Sequence, residues 1–229
     1  MIPFLIDKQD TVEIVRDQIA AILASEAASQ RSLAETGGED PSQWTYRTYL
    51  ERSNPWAEFL DATEPQPPLI NVTLESCDYA MSRSTIVGEF TGAEALINID
   101  CYGHGMGSDD PSEEGHTAGD KMGCIEALRA ARFVRNVLMS AEYIYLGLRG
   151  TDKEQWVHQR WIENVTIFQP SLEGREIQQV VAARVALRVQ FNEFAPQHIG
   201  VPLESVRVTV KRRSTGEIYF VGEYDYDGG

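Results

Sequence analysis

Basic residues, cysteines and long apolar runs are all scarce in this sequence, and each scarcity removes a class of function. Twenty Lys and Arg stand against 35 Asp and Glu, a formal net charge of -15. A surface of that sign repels nucleic-acid phosphates, which argues against a DNA- or RNA-binding module. It is compatible with a surface past which DNA slides without adhering. The three cysteines, Cys77, Cys101 and Cys124, are odd in number and lack CxxC spacing. They point to buried free thiols in a reducing compartment rather than to a disulfide framework. No apolar run is long enough to span a bilayer, and Met1–Ile6 is too short and too poor in basic residues for a signal peptide.

Catalytic motifs are equally sparse. None of the four histidines sits in HExxH spacing or beside a GxSxG elbow. Gly103, Gly105 and Gly107 follow a strand, but the spacing is not GxGxxG and Asp109, Asp110, Glu113 and Glu114 come next. A nest of amides ringed by carboxylates is a poor home for phosphate, so residues 103–116 read as a solvated acidic loop. Asp100, Cys101, His104, Asp109, Asp110 and His116 could be drawn around a metal. Residues 100 and 101 of a strand point to opposite faces, however, and a chance cluster is the better reading. No catalytic, cofactor-binding or metal-ligating residue is assigned.

What the chain does have is pattern. Ala183, Val185, Leu187, Val189 and Phe191 alternate with Arg184, Ala186, Arg188, Gln190 and Asn192. A period of two over this length describes a long strand with one apolar and one polar face. Residues 161–169 form a second strand, and Pro170 with 171–174 supplies the loop of an antiparallel hairpin. Upstream, Val12, Val15, Ile19, Ile22 and Leu23 mark an amphipathic helix over 9–35, with Asp7 or Asp10 as its cap and Gly37-Gly38 as its end. Strands are expected at 69–75, 85–90 and 94–102, joined too tightly for crossover helices. A helix opening at Thr117 carries Ile125, Leu128, Ala131, Val134, Leu138 and Ala141 on its apolar face. Two shorter strands, 205–212 and 217–224, precede a polar tail at 225–229. At 229 residues this is one α+β domain, a mostly antiparallel sheet with two main helices packed on one face.

Two features suggest contact with another chain. Arg184 and Arg188, with Gln190 and Asn192, make a basic and polar strip on an acidic protein, suited to the acidic surface of a second copy. The plainer reading is a solvated strand face with local ion pairs. Residues 39–68 hold Trp44, Tyr46, Tyr49, Trp56 and Phe59 in a loop-like context. They form either a flap over the chain's own core or an arm reaching a neighbouring subunit.

The stretch IENVTIFQP (162–170) with the following alternating strand to Pro196 resembles the core strands of tail terminator (tail completion) proteins of long-tailed bacteriophages. The opening helix and the strand–helix–strand order are similar to that family's layout, while 39–68 and 103–116 look like additions to it. The resemblance implies a homo-hexameric ring that caps the head-proximal end of the tail tube, stops its polymerisation and joins it to the neck. The partners implied are further copies of this chain, the tail tube protein, a neck or connector protein and, in contractile tails, the last layer of sheath. DNA would pass through the lumen unbound, and the place implied is the virion. Other readings are a head–tail connector or neck ring subunit, the tube protein itself and, from a different class, a small metal-dependent hydrolase built on His104 and His116.

Overall fold

The computed structural model describes residues 10–60, 62, 64, 66–79, 91–105, 121–148, 157–172, 175–176, 180–193, 205–211 and 218–225. The chain divides into two compact units, Lys8–Ala195 and a second made of Met1–Asp7 with Pro196–Gly229. The larger one contains the α+β layout, a mostly antiparallel sheet with two helices, expected from the sequence.

Its first element is helix α1, Thr11–Gly37. The Glu13 carboxylate accepts from the Asp10 backbone N–H at 3.1 Å, half of a capping box over the first turn. At the far end Gly38 takes φ 73°, and the Glu39 N–H donates to the Ala34 carbonyl at 2.9 Å, closing the last turn as only a residue free of a Cβ does cheaply. Val12, Val15, Ile19, Ile22, Leu23 and Ala27 are all buried, as their spacing demands.

The sheet has five strands in the order β1-β2-β3-β7-β4. They are β1 (Arg47–Leu50), β2 (Leu69–Tyr79), β3 (Thr91–His104), β4 (Val157–Phe168) and β7 (Val180–Glu193). Between β4 and β7, the loop expected after Pro170 is itself a small ribbon, β5 (Ser171–Leu172) paired with β6 (Arg175–Glu176). All pairings are antiparallel except β1 with β2, which is parallel. Strand β7 is central, in register with β3 from Val180↔His104 to Glu193↔Thr91 and with β4 from Ala182↔Phe168 to Phe191↔Val157. The strand expected at 85–90 and the helix start at Thr117 lie outside the described residues.

One sheet face carries the helices. Ala183, Val185, Leu187, Val189 and Phe191 of β7 are fully buried there beside Ile97, Ile99 and Cys101 of β3 and Ile70 and Val72 of β2. Each of the larger side chains contributes about 1.5–3 kcal/mol by leaving water. Helix α2, Lys121–Leu138, packs on β3 and β7. Its buried face is Ala127, Ala130, Ala131, Val134, Val137 and Leu138. Ile125 and Leu128, expected on that face, are exposed, and Ala141 lies beyond the helix in a short 3-10 turn. Small alanines bring the helix close to the sheet, so the inward face is narrower than a leucine-based stripe. The carbonyls of Leu138, Ser140 and Ile144 at and beyond the helix end all accept from the Arg160 guanidinium of β4, a cation placed at the negative end of the helix dipole.

Gly103 and Gly105 correct the reading of 103–116 as solvated loop. Both are buried at the end of β3, against the first turns of α2. A Cβ on Gly103 would stand 2.1 Å from the Gly123 carbonyl oxygen and 2.5 Å from the Ala127 nitrogen. The glycines are there for backbone-to-backbone approach, not for phosphate. Residues 106–116 lie outside the described residues. In the smaller unit, β8 (Ser205–Lys211) and β9 (Ile218–Asp225) form an antiparallel pair with Ser205 opposite Asp225.

Gly103→Ala is expected to lower the unfolding free energy by about 3 kcal/mol, the upper part of the range for overpacking. Gly92→Ala, with open space around it, is expected to stay within about 1 kcal/mol of wild type. Urea denaturation followed by circular dichroism measures both.

Candidate interaction surface

The face of the sheet opposite the helices is where the sequence placed the contact with a partner. Asp100 stands directly opposite Arg184 in the β3–β7 register. Arg184 donates to it twice, Nε to Oδ1 at 2.7 Å and Nη2 to Oδ2 at 2.9 Å, a bidentate pair in which the carboxylate is buried and the guanidinium partly exposed. Hydrogen bonds to Asp100 hold the Arg184 guanidinium more firmly protonated than usual. The same guanidinium lies 5.3 Å above the Phe168 ring.

Two residues further along the face, Arg188 bridges the sheet. Its Nη1 donates to Glu94 of β3 at 2.7 Å and its Nε to Glu163 of β4 at 3.0 Å. Glu163 falls at the register shift between Ile162 and Asn164. Gln190 donates to the second oxygen of Glu94 at 2.9 Å, and with Arg188 it holds the Glu94 carboxyl below its ordinary range. His158 and Asn192 meet at 2.7 Å at the exposed end of the row. The strip is therefore not a free basic surface. Its charges are met within the chain by a ladder of cross-strand pairs, each worth little where water reaches it and more at the buried Asp100.

The aromatic segment 39–68 wraps the β1 edge and packs on both faces of its own sheet. The carboxylate of Asp40 accepts from the Ser42 N–H and hydroxyl at 2.9 and 2.7 Å, starting the 3-10 turn Pro41–Trp44. Tyr46 stacks on Phe133 of α2 at 4.8 Å between centroids, and Trp44 meets the same ring edge-on at 6.4 Å. Past β1, Asn71 donates to the Arg52 carbonyl and accepts from its N–H at 3.0 and 3.1 Å. That amide pairing anchors the chain for the turn Pro55–Phe59, whose Trp56 and Phe59 form a second cluster with Leu69, Tyr102, Val180 and Ala182 on the outer face. Tyr49 borders that cluster and donates to Glu58 at 2.9 Å.

The eight residues marked from the sequence thus fall in three places. Arg184, Arg188, Gln190 and Asn192 share the outer face, Trp44 and Tyr46 lie on the helix side, and Tyr49 and Trp56 close the other end of the outer face. Trp56 is only 4% exposed, so it is spent inside its own chain. No sequence pattern marks Asn71 or Arg160, whose roles depend on backbone partners far along the chain. None marks the outer edge of β4 either. Among the described residues no strand pairs with that edge, and Val165 and Ile167, on the helix-bearing face by register, are 41% and 55% exposed.

The residues of the imagined metal set diverge. Cys101 is buried on the helix side, where burial and neighbouring Asp100 push its thiol up, and Asp100 is committed to Arg184. His104 is 3% exposed, stacked on Phe59 at 5.1 Å, with no partner for its Nδ1 among the described residues. The remaining members, Asp109, Asp110 and His116, lie outside the described residues. None of Cys77, Cys101 and Cys124 is in a disulfide; Cys101 is buried and the other two are half-buried. No described helix is long and apolar enough to cross a membrane. Comparison of the sequence with protein-family models and with curated proteins yields no match.

Two outcomes follow from these contacts. Asp100→Asn is expected to cost about 2 kcal/mol of stability by breaking a partly buried charge-assisted pair, and Glu163→Gln, at the exposed end, less than about 1 kcal/mol; denaturant midpoints compare them. Burial lowers the His104 pKa below its ordinary 6.5, so the unfolded chain binds more protons between the two values. Stability is then full above about pH 6.5 and is lost as pH falls through the folded value. His104→Phe, which keeps a ring beside Phe59, is expected to flatten the fall in urea midpoint between pH 7 and 5.

Proposed function

We propose that the chain is a structural subunit of a bacteriophage tail, forming a homo-hexameric ring that caps the head-proximal end of the tail tube, ends its growth and joins it to the neck. The observation that supports this reading best is the outer edge of β4. Its stretch Asn164–Phe168 is uncharged, rich in β-branched residues and free of proline. Proteins that act alone guard such edges with charge, bulges or a covering loop, because a bare row of N–H and C=O groups recruits another strand. Here the bulges, at Val157–Gln159 and Ile162–Asn164, and Glu163 come before most of this stretch. A strand edge on one side of a subunit, answered by a different surface on the next, is a heterologous contact that closes into a ring when its rotation permits.

The chemistry elsewhere suits a role in contact rather than catalysis. The net charge of -15 disfavours adhesion to passing DNA. Of the hydrolase alternative, His104 is buried against Phe59 and points to packing, which weakens that reading. A neck or connector ring draws on the same edge, and stoichiometry separates the two: six copies at the upper end of the tube for a terminator, twelve in the neck for a connector, many for a tube protein.

Ile167→Lys, which places a charge on the bare edge, is expected to shift the purified protein from hexamer to monomer by native mass spectrometry with its denaturation midpoint kept. A hexamer that survives the substitution removes β4 as the seam. Phage lacking the gene are expected to yield tails of unregulated length or tails that never join heads; normal, joined particles refute the terminator reading.

A further inference from the structure

A cleft of about 540 Å³ runs between α1 and α2, floored by Phe133 and Val137 and walled by Trp44 and Tyr46 on one side and Tyr143 on the other. Its volume is in the range of clefts that enclose a small ligand or a short peptide side-chain cluster. Three features make it a built site rather than a packing fault. The aromatic wall is held in place, Tyr46 stacked on Phe133 and Trp44 edge-on to it, so it is rigid before any guest arrives. Gln43 and Asn136 line the cleft and make no hydrogen bond among the described residues, leaving two amides able both to donate and to accept. Arg129 Nε and Ser140 Oγ in the lining are buried without a partner among the described residues.

The charge on the rim decides what the guest is. In a strongly acidic chain nearly every described arginine is met by a carboxylate or a carbonyl, including Arg16, Arg31, Arg47, Arg52, Arg160, Arg184 and Arg188. Arg129, in the cleft wall, is paired with Glu126. Arg132 and Arg135 have no ion pair or hydrogen bond among the described side chains, and of these Arg132 borders the cleft. Across from it stand Glu26, which accepts from the Tyr143 hydroxyl at 2.9 Å, and Glu142. A polyphosphate or a nucleic-acid strand would have to lie along those carboxylates, which disfavours both. A peptide needs only one anionic side chain at Arg132, one apolar or aromatic side chain against Trp44 and Phe133, and backbone groups for the two amides.

We infer that the α1–α2 cleft is a docking site for an acidic peptide segment of a partner protein, with a carboxylate on Arg132 and an adjacent apolar side chain on the Trp44–Phe133 wall. This stands independently of the assembly reading, because it uses neither the β4 edge nor the outer sheet face.

The test uses the full chain and a fluorescein-labelled octapeptide with a single Glu beside Phe and Leu in an otherwise uncharged Ser/Gly background, followed by fluorescence anisotropy. Its counterpart has Lys in place of that Glu. The acidic peptide is expected to bind at least tenfold more tightly than the lysine peptide. Arg132→Glu is expected to weaken it tenfold or more, whereas Arg135→Glu, the same charge change on the same helix away from the cleft, leaves affinity within about twofold. Both arginines are exposed, and an unchanged denaturation midpoint shows that each variant folds. Trp44→Ala is expected to reduce binding while leaving the preference for acid intact. Equal binding of the two peptides, equal loss from both arginine variants, or no binding by the wild-type chain overturns the proposal. If Arg132→Glu still assembles into the same oligomer as wild type, loss of peptide binding is separated from any failure of the ring.

Discussion

Every other contact in the larger unit depends on the two-sided backbone pairing of β7. A fourteen-residue strand paired with β3 along its whole length and with β4 from Ala182 to Phe191 has a fixed register, and a slip of one residue would exchange its two faces. The penalty for such a slip is unusually large here. Val185, Leu187, Val189 and Phe191 would leave the core, and Arg184 and Arg188 would enter it. The ion pairs to Asp100, Glu94 and Glu163 add a second lock on the same register, since each arginine finds its carboxylate only when the strands align as they do. The outer ladder is therefore best understood as a device for specifying the sheet. Its net contribution to stability is small wherever water reaches it.

This ordering also explains how the helices are placed. Alanines on α2 and glycines at the end of β3 let helix and sheet approach closely, while Arg160 reaches from β4 to the carbonyls at the helix end. One end of α2 is thus fixed by van der Waals exclusion and the other by a charge-assisted cap. The helix does not extend over β4, whose Val165 and Ile167 stay in water.

The sequence made the periodic elements legible because periodicity is a local consequence of burying one face. Helix α1, the long hairpin and the antiparallel character of the sheet all follow from spacing of apolar residues. What stayed hidden was set by distant partners. Gly103 looked like a loop glycine because its reason, the Gly123 carbonyl, lies twenty positions away. Strand β1 is too short to show a period and is held by parallel pairing with β2 and by the Asn71 amide. Ile125 and Leu128 fitted the helical spacing yet face water, since the alanine stripe beside them is what the sheet accepts. The basic strip was visible, but its neutralisation depends on which strands flank β7, and that is a matter of topology rather than of composition.

The two unspent surfaces differ in what they can discriminate. A strand edge offers the same N–H and C=O pattern to any chain, so β4 on its own confers adhesion with little choice of partner, and shape and symmetry must supply the selectivity. The α1–α2 cleft offers an arginine and two amides with no partner among the described residues beside an aromatic wall, a combination suited to one kind of side-chain sequence over others. Helix α1 lies over β1 and β2, α2 over β3 and β7, and β4 ends the sheet among the described residues. The cleft reaches toward β4 at Ser140, whose carbonyl accepts from Arg160. In an acidic protein most arginines are consumed by the nearest carboxylate. That Arg132 is not, beside a rigid aromatic wall, is the property that gives this second surface its selectivity.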